Sequence, residues 1–505
     1  MRDEDEDRLL KEFDLAKNEN RVLRAQLERS LAAISPPGPV AANLIREHRR
    51  QRLHLILDWI QRITPAPLRA LWRGLYLKYF YYRLYPENSP EALRRRHVVF
   101  ENRDSGLTAY SGYPPFLEMK KRICRSLNMS YRVRCPELSD GLVSVVLPVY
   151  NGAEYLAESI EGVLSQDYDR WELIIVDDGS TDGTPGILRR YETDRRVRMI
   201  RQENRKLPEA LNAGFAAARG EFFTWTSADN AMRPGMLSAL VGFLQANPSA
   251  EMVYANEELI DESGCAALDR DFCRIYQHPP GGSVLWRPYD PGELNFIQNN
   301  LIGGCFLYRG WAARILDSYT PACFGYEDYD YWLRMNALFR ITHLGNDEPF
   351  YRYRLHEASL TARERELRIA EHAGYFFAAE GERQTFFEDG FDVTFNGEHP
   401  WFAHLSRAYR RAGHNVTAIG ELSADAQYRY RVTRAYRKAV IVSAADPPAT
   451  LRETGQSFVE MRLDENRLSF CDVKLAADEP ASLEYPLLAA ANSLLWRREK
   501  RPEVP

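Results

Sequence analysis

Acidic side chains recur where apolar runs of this chain end. Asp177 and Asp178 follow ELIIV in the stretch 172–184, and Asp229 closes EFFTWTSADN at 221–230. A third run, VSVVLPVYNG at 143–152, ends in Pro148, Val149 and Tyr150. Carboxylates gathered in one place suit a hard divalent cation and the diphosphate it bridges. The ring of Tyr150 can stack on a nucleobase, and Asp178 has acceptors suited to a pyrimidine N–H. A competing reading makes 177–182 a polar turn that caps the next helix, as Ser180, Thr181 and Asp182 can do. Asp177 itself is expected to support that turn.

These residues need a frame. Each run is short and β-prone, and each precedes a helical pattern, at 153–165, 185–192 and 234–246. Repeated strand–turn–helix units predict a parallel sheet covered by helices. Ligands in such sheets sit at the carboxyl ends of the strands, where Tyr150, Asp177, Asp178, Ser227 and Asp229 are expected to meet. Another strand is expected at 197–201. The basic pair after it, Arg205 and Lys206, reads as a diphosphate contact or as a solvated face. Beyond 363 the pattern weakens. A helix at 399–413 and strands at 415–420, 439–444, 458–462 and 468–473 suggest a smaller α/β unit.

At 505 residues the chain exceeds one ordinary domain. The expected division is 1–35, 36–140, 141–365 and 366–505. Leu9, Phe13, Ala16, Asn20, Leu23, Leu27, Ser30 and Ile34 fall at heptad spacing, as an oligomerising coiled coil or as a lone solvated helix. Residues 41–85 carry nine Lys/Arg against two acids, interleaved with Trp59, Trp72 and a run of tyrosines. That composition suits an anionic membrane surface, or aromatics packed on the next domain with arginines facing water. No nucleic-acid-binding module is recognisable, and nucleic acid is not expected as a partner. Seven scattered cysteines without a CxxC pair predict reduced thiols in a cytosolic setting. The opening MRDEDEDR does not resemble a signal peptide. No uncharged apolar stretch reaches the roughly 20 residues that span a bilayer.

The motifs LPVYNG, VDDGSTDGT, LNAGFAAARGEF, SADN and EDYDYWLR occur in that order between 142 and 361. This segment, under half of the chain, resembles a family 2 glycosyltransferase of the GT-A fold. The resemblance implies a Rossmann-like α/β domain with a mostly parallel central sheet. It also implies inverting, nucleotide-sugar-dependent transfer, with a UDP-sugar the common case. On the matching positions it implies Pro148, Tyr150 and Asp178 as nucleotide-binding residues, with Ser227 and Ala228 at the same site. The family's Asp-x-Asp reads Ser227-Ala228-Asp229 here, which leaves Asp229 to hold Mn2+ or Mg2+. His356, in the late YRLH stretch, is a further candidate ligand. Asp328 falls on the position of the catalytic base, and Glu327 beside it on acceptor positioning. Gly304 is expected to permit close backbone approach near the acceptor, and Arg354 to neutralise leaving-group charge or support the site. Asp330 and Arg334, four apart on a helix, predict an ion pair.

The reading as a whole is an inverting glycosyltransferase acting on a glycan or lipid-linked acceptor in cell-surface polysaccharide synthesis. It is expected to be cytoplasmic and peripheral on the inner face of the membrane, and homo-oligomeric if the coiled coil forms. The alternative is a catalytically silent nucleotide-sugar-binding or scaffold subunit, favoured by the missing first Asp.

Overall fold

Strand β3 (Trp171–Asp177) is buried at all seven positions, the pattern of a strand covered on both faces. It lies inside the first of two seven-stranded sheets. The computed structural model describes residues 133–267, 283–285, 302–345, 348–360, 392–412, 414–420, 439–444 and 459–499, with single positions 294, 300, 362, 363 and 366. The expected coiled coil at 1–35 and the basic aromatic stretch at 41–85 lie outside the described residues.

In chain order the described part begins with β1 (Val133–Arg134) and β2 (Ser139–Val149), then α1 (Leu156–Leu164), β3 and α2 (Thr184–Leu188). Next come β4 (Val197–Arg201), α3 (Leu207–Ala217), β5 (Gly220–Trp225), β6 (Ala231–Met232) and α4 (Met236–Ala246). Strands β7 (Met252–Tyr254), β8 (Glu257–Ile260), β9 (Val284–Leu285) and β10 (Phe306–Arg309) precede α5 (Gly310–Leu316). Helix α6 (Glu327–Leu338), β11 (Ile341–His343) and β12 (Tyr351–Arg354) complete the first half.

The first sheet runs β11-β7-β10-β5-β2-β3-β4. Strands β5, β2, β3 and β4 are mutually parallel, whereas β10 lies antiparallel between β5 and β7. This is the α/β, mostly parallel arrangement expected from the strand–turn–helix repeat. Val149 pairs with Asp177 in register, so Tyr150 and Asp178 leave the sheet at the same edge. Helix α3 lies directly on β2. A Cβ at Gly214 would stand 2.4 Å from Val146 Cγ1, so a larger residue there would push the helix off the sheet. A small sheet, β6-β12-β8-β9, joins the turn after β5 to the late strand β12.

The second large sheet contains β13 (Asp392–Asn396), β14 (Asn415–Gly420), β15 (Ala439–Ser443), β16 (Val459–Asp464), β17 (Arg467–Phe470) and β18 (Val473–Ala477). Its order is β1-β18-β17-β16-β15-β13-β14. Helix α7 (Phe402–Arg411) connects β13 to β14. The strand expected at 468–473 is instead a hairpin. Phe470 pairs with Val473, and Cys471 in the two-residue loop has φ 48°, the left-handed conformation that tight hairpin turns require. The sheet also reaches outside 366–505, because β1 forms its edge.

Both sheets belong to one compact unit. Helix α8 (Glu484–Glu499) bridges them. Tyr485 Oη donates to Leu338 O at the end of α6, and Ser493 Oγ donates to Ile315 O at 2.8 Å. Leu487, Ala490 and Ala491 are fully buried.

Candidate active site

The carboxyl edge of the parallel strands carries two interlocked loops. Asn151 adopts φ 51°, and its Oδ1 accepts from Thr181 N at 2.8 Å. In return Asn151 N donates to Ser180 Oγ, and Ala153 N to Asp182 Oδ2. The turn 177–182 is therefore ordered by its own side chains, and Asp177 supports it as expected, accepting from Ser180 N at 2.8 Å. Gly179 has φ 81°, and a Cβ there would meet Asn204 N at 2.9 Å. A side chain at that position would separate the turn from the loop after β4. Pro148 is buried in β2 opposite Val176. Tyr150 differs: it is 51% exposed and is the one exposed large hydrophobic among the described residues. An aromatic left open at the strand edge has the shape of a stacking platform.

Asp178 is only 3% exposed. Its Oδ1 accepts from Gln202 Nε2 and Arg205 N, and its Oδ2 from Lys206 N at 2.9 Å. The carboxylate thus holds the loop that presents Arg205 and Lys206, both exposed. Lys206 sits at φ 75° and places its Nζ 5.7 Å over the Phe324 ring. That contact carries the basic loop to the turn just before α6. Asn212, within the LNAG motif, exchanges both amide hydrogen bonds with the Tyr319 backbone.

Asp229 stands in the turn after β5. Its Oδ2 accepts from His356 Nε2 at 2.9 Å, and this hydrogen bond holds the imidazole pKa above its usual range. Its Oδ1 is buried without a hydrogen-bond partner. A buried carboxylate oxygen left open costs free energy unless a ligand satisfies it. Ser227 and Ala228 are half-buried beside it, and Ser227 O accepts from Ser159 Oγ at 2.8 Å. Among the described residues no three His, Cys, Asp or Glu side chains gather as a metal site. A nucleotide-bridging cation needs only one or two carboxylates plus phosphate oxygens. The open Oδ1 of Asp229 fits that need. His356 Nε2 would join only by exchanging its proton for the ion.

The sequence did not disclose what Arg354 does. It is 2% exposed, and its Nε donates to Asp229 O at 3.0 Å. Its Nη1 donates to Asp261 O and Glu262 O, and its Nη2 to Glu158 Oε2 on α1. The guanidinium also lies 4.5 Å over the Tyr155 ring. Arg354, expected to neutralise leaving-group charge or to support the site, is a buried clamp that fixes the Asp229 turn. Arg354→Ala is expected to cost about 3 kcal/mol, because three backbone carbonyls lose a charged donor. The Glu158 side chain is 45% exposed, so Glu158→Ala should cost under about 1 kcal/mol. Urea midpoints of the two variants check both values.

Helix α6 opens with Glu327, Asp328 and Asp330 in its first turn, where the helix dipole favours negative charge. Asp330 and Arg334 pair at 2.9 Å, as their spacing predicted. Asp328 is half-buried. Its Oδ1 accepts from Tyr329 N at 2.7 Å, and its Oδ2 from Asn300 Nδ2 at 2.5 Å. Glu327 is 4% exposed. Burial, followed by the adjacent Asp328 charge, pushes its pKa up to about 8. Gly304 N and Cys305 N both donate to Glu257 Oε1, and a Cβ at Gly304 would stand 2.6 Å from the Tyr351 ring. The neighbour packed most closely on Gly304 is thus the Tyr351 ring.

Glu327 has a consequence for stability. Its folded pKa lies above the unfolded carboxyl value, so the native state binds the extra proton between about pH 4.5 and 8. The stability that Glu327 contributes is complete below that window and is lost as pH rises through it. Glu327→Gln is expected to flatten this fall, which is on the order of a few kcal/mol. Urea melts at pH 5, 7 and 9 would measure it.

Comparisons with known proteins follow the same lines. The model for "Glycosyl transferase family 2" matches residues 144–312. The glycosyltransferase EpsE of Bacillus subtilis is 31% identical over 227 residues, covering 44% of this chain and 73% of that protein. An uncharacterized glycosyltransferase of Rickettsia felis is 36% identical over 209 residues, 40% of this chain and 32% of that one. The chain spans about a third of the length of the Rickettsia felis and Rickettsia bellii relatives it matches. Among solved structures, the mannosyltransferase PcManGT of Pyrobaculum calidifontis, in complex with GDP-Man and Mn2+, is 18% identical. That alignment covers 81% of this chain and 99% of that one at a TM-score of 0.36, too loose an overlap to bear on substrate. Five ordered motifs raised the expectation, and likeness over nearly three quarters of EpsE makes it a conclusion: this chain belongs to the family 2 glycosyltransferases.

Proposed function

We propose that the chain moves a hexosyl group from a nucleoside-diphosphate sugar, a UDP-sugar first, onto a hydroxyl of a glycan or lipid-linked acceptor, with inversion. The observation that carries this reading is the open, buried Oδ1 of Asp229 at the strand edge that also exposes Tyr150. Tyr150 stacks on the base, and Asp178 holds the loop whose Arg205 faces the diphosphate. Asp229 would hold the cation, with its carboxylate oriented by His356 and its turn fixed by the Arg354 clamp. When bound, a divalent cation offsets negative charge on the departing diphosphate. The acceptor oxygen forms its bond to the anomeric carbon as the bond from that carbon to the diphosphate oxygen breaks. Its proton passes to Asp328, and the electron pair leaves with the nucleoside diphosphate. Burial raises the Glu327 pKa, which disfavours a second charge beside the base.

Synthesis of a cell-surface polysaccharide is the setting in which such an acceptor is met. Docking on an anionic membrane through residues 41–85, and self-association through 1–35, belong to the same proposal and rest on sequence alone. A panel of UDP- and GDP-sugars, assayed for nucleoside diphosphate release with Mn2+ and with EDTA, tests the reading. Release with one donor, abolished by EDTA, is expected. Binding without release from any donor would favour the silent subunit.

A further inference from the structure

The amide of Asn300 is fixed at both ends. Its Oδ1 accepts from Ile302 N at 3.1 Å, a local turn that leaves Nδ2 as the group facing Asp328. Nδ2 donates to Asp328 Oδ2 at 2.5 Å. The mount is firm. Ile302 is fully buried, and the backbone beyond it is tied to Glu257, also fully buried, through Gly304 N and Cys305 N. Asp328 Oδ1 is held separately by Tyr329 N. Both carboxylate oxygens therefore accept from an N–H group, and the two donors together set the plane of the carboxylate.

We propose that Asn300 is a positioning residue for the base. It holds the Asp328 carboxylate in one rotamer, so that a single face of Oδ2 meets the acceptor hydroxyl, and it favours the ionised form by donating to it. This rests on Asp328 being the base. Asn300 neither touches substrate nor moves a proton. Its effect belongs in turnover and pH dependence, with nucleotide affinity unchanged.

Asn300→Asp keeps an acceptor for Ile302 N and so preserves the turn, but it sets a carboxylate against Asp328. Asn300→Ala removes both bonds. With the fastest donor of the sugar panel, kcat of Asn300→Asp is expected to fall about 100-fold, the scale of a misplaced catalytic group. The acid limb of its kcat/KM profile should rise by about one pH unit, because a like charge raises a carboxyl pKa. Asn300→Ala should show a smaller kcat loss in the same direction. Donor KM, and UDP binding with Mn2+, should stay within about twofold of wild type, since neither rotamer nor charge of the base enters uniform binding. Wild-type kcat with an unmoved acid limb in Asn300→Asp would overturn the proposal, provided Asp328→Asn is inactive. A kcat loss matched by lost UDP binding and an unmoved limb would overturn it too, as a merely structural effect. Full activity of Asp328→Asn would instead remove the base assignment on which it stands.

Discussion

Asp328→Asn is expected to lower turnover by about 10²- to 10⁴-fold, the range that general-base catalysis supplies, while UDP binding in Mn2+ stays at its wild-type value. The amide is nearly isosteric and can still accept a hydrogen bond from Tyr329 N. It cannot take up the acceptor's proton. Glu327 offers no substitute: it is 4% exposed, accepts from Gly325 N at 2.7 Å, and is held protonated to about pH 8 by burial and by the Asp328 charge. In the variant that charge is gone, so the Glu327 pKa should fall and its pH-dependent stability loss should shrink. Urea melts across pH would show this even without a donor in hand. Turnover within about fivefold of wild type would sink the assignment, since losing a base must cost more.

The second large effect is expected at Asp229. Asp229→Ala should weaken UDP binding in Mn2+ by about 10- to 100-fold, the usual cost of disrupting a metal's supporting groups, and lower turnover with it. In EDTA the variant and the wild type should bind UDP alike, because Tyr150 and the loop held by Asp178 are untouched. Titration calorimetry with and without Mn2+ separates the two terms. His356 should respond as well. Its raised pKa comes first from the Asp229 hydrogen bond, so the imidazole of Asp229→Ala should titrate lower, an NMR observable. Equal UDP affinity of both proteins in Mn2+ would show that the open oxygen holds no cation.

Much of this site was legible because its parts are local. Strand ends, the 177–182 turn and the i,i+4 pair of Asp330 and Arg334 follow from periodicity and spacing, and strand β4 lies where its pattern placed it. Long-range contacts were not legible. Nothing in YRLH says that Arg354 will be buried against Asp229 O, Asp261 O and Glu158, which lies 196 residues away. Asp178 read as an acceptor for a ligand, and its local pattern cannot show that Gln202, Arg205 and Lys206 already occupy it. The 468–473 segment looked like one strand because its apolar residues run through the turn. Only the left-handed φ of Cys471 divides it.

The edge strand β1 raises a question of timing. Val133 and Arg134 emerge from the ribosome before any of the catalytic sheet, yet they pair with β18. Arg134 also bonds Asp478, across a sequence separation of 344 residues. At about 5–20 residues per second that partner is made roughly 17–70 s later. The catalytic sheet, whose strands are closer together in sequence, has time to form while β1 waits. Closing the second sheet then follows closing the first. It seats α8 against α5 and α6 only after residue 473 is made, so a ribosome stalled before that point would carry a catalytic half without its brace.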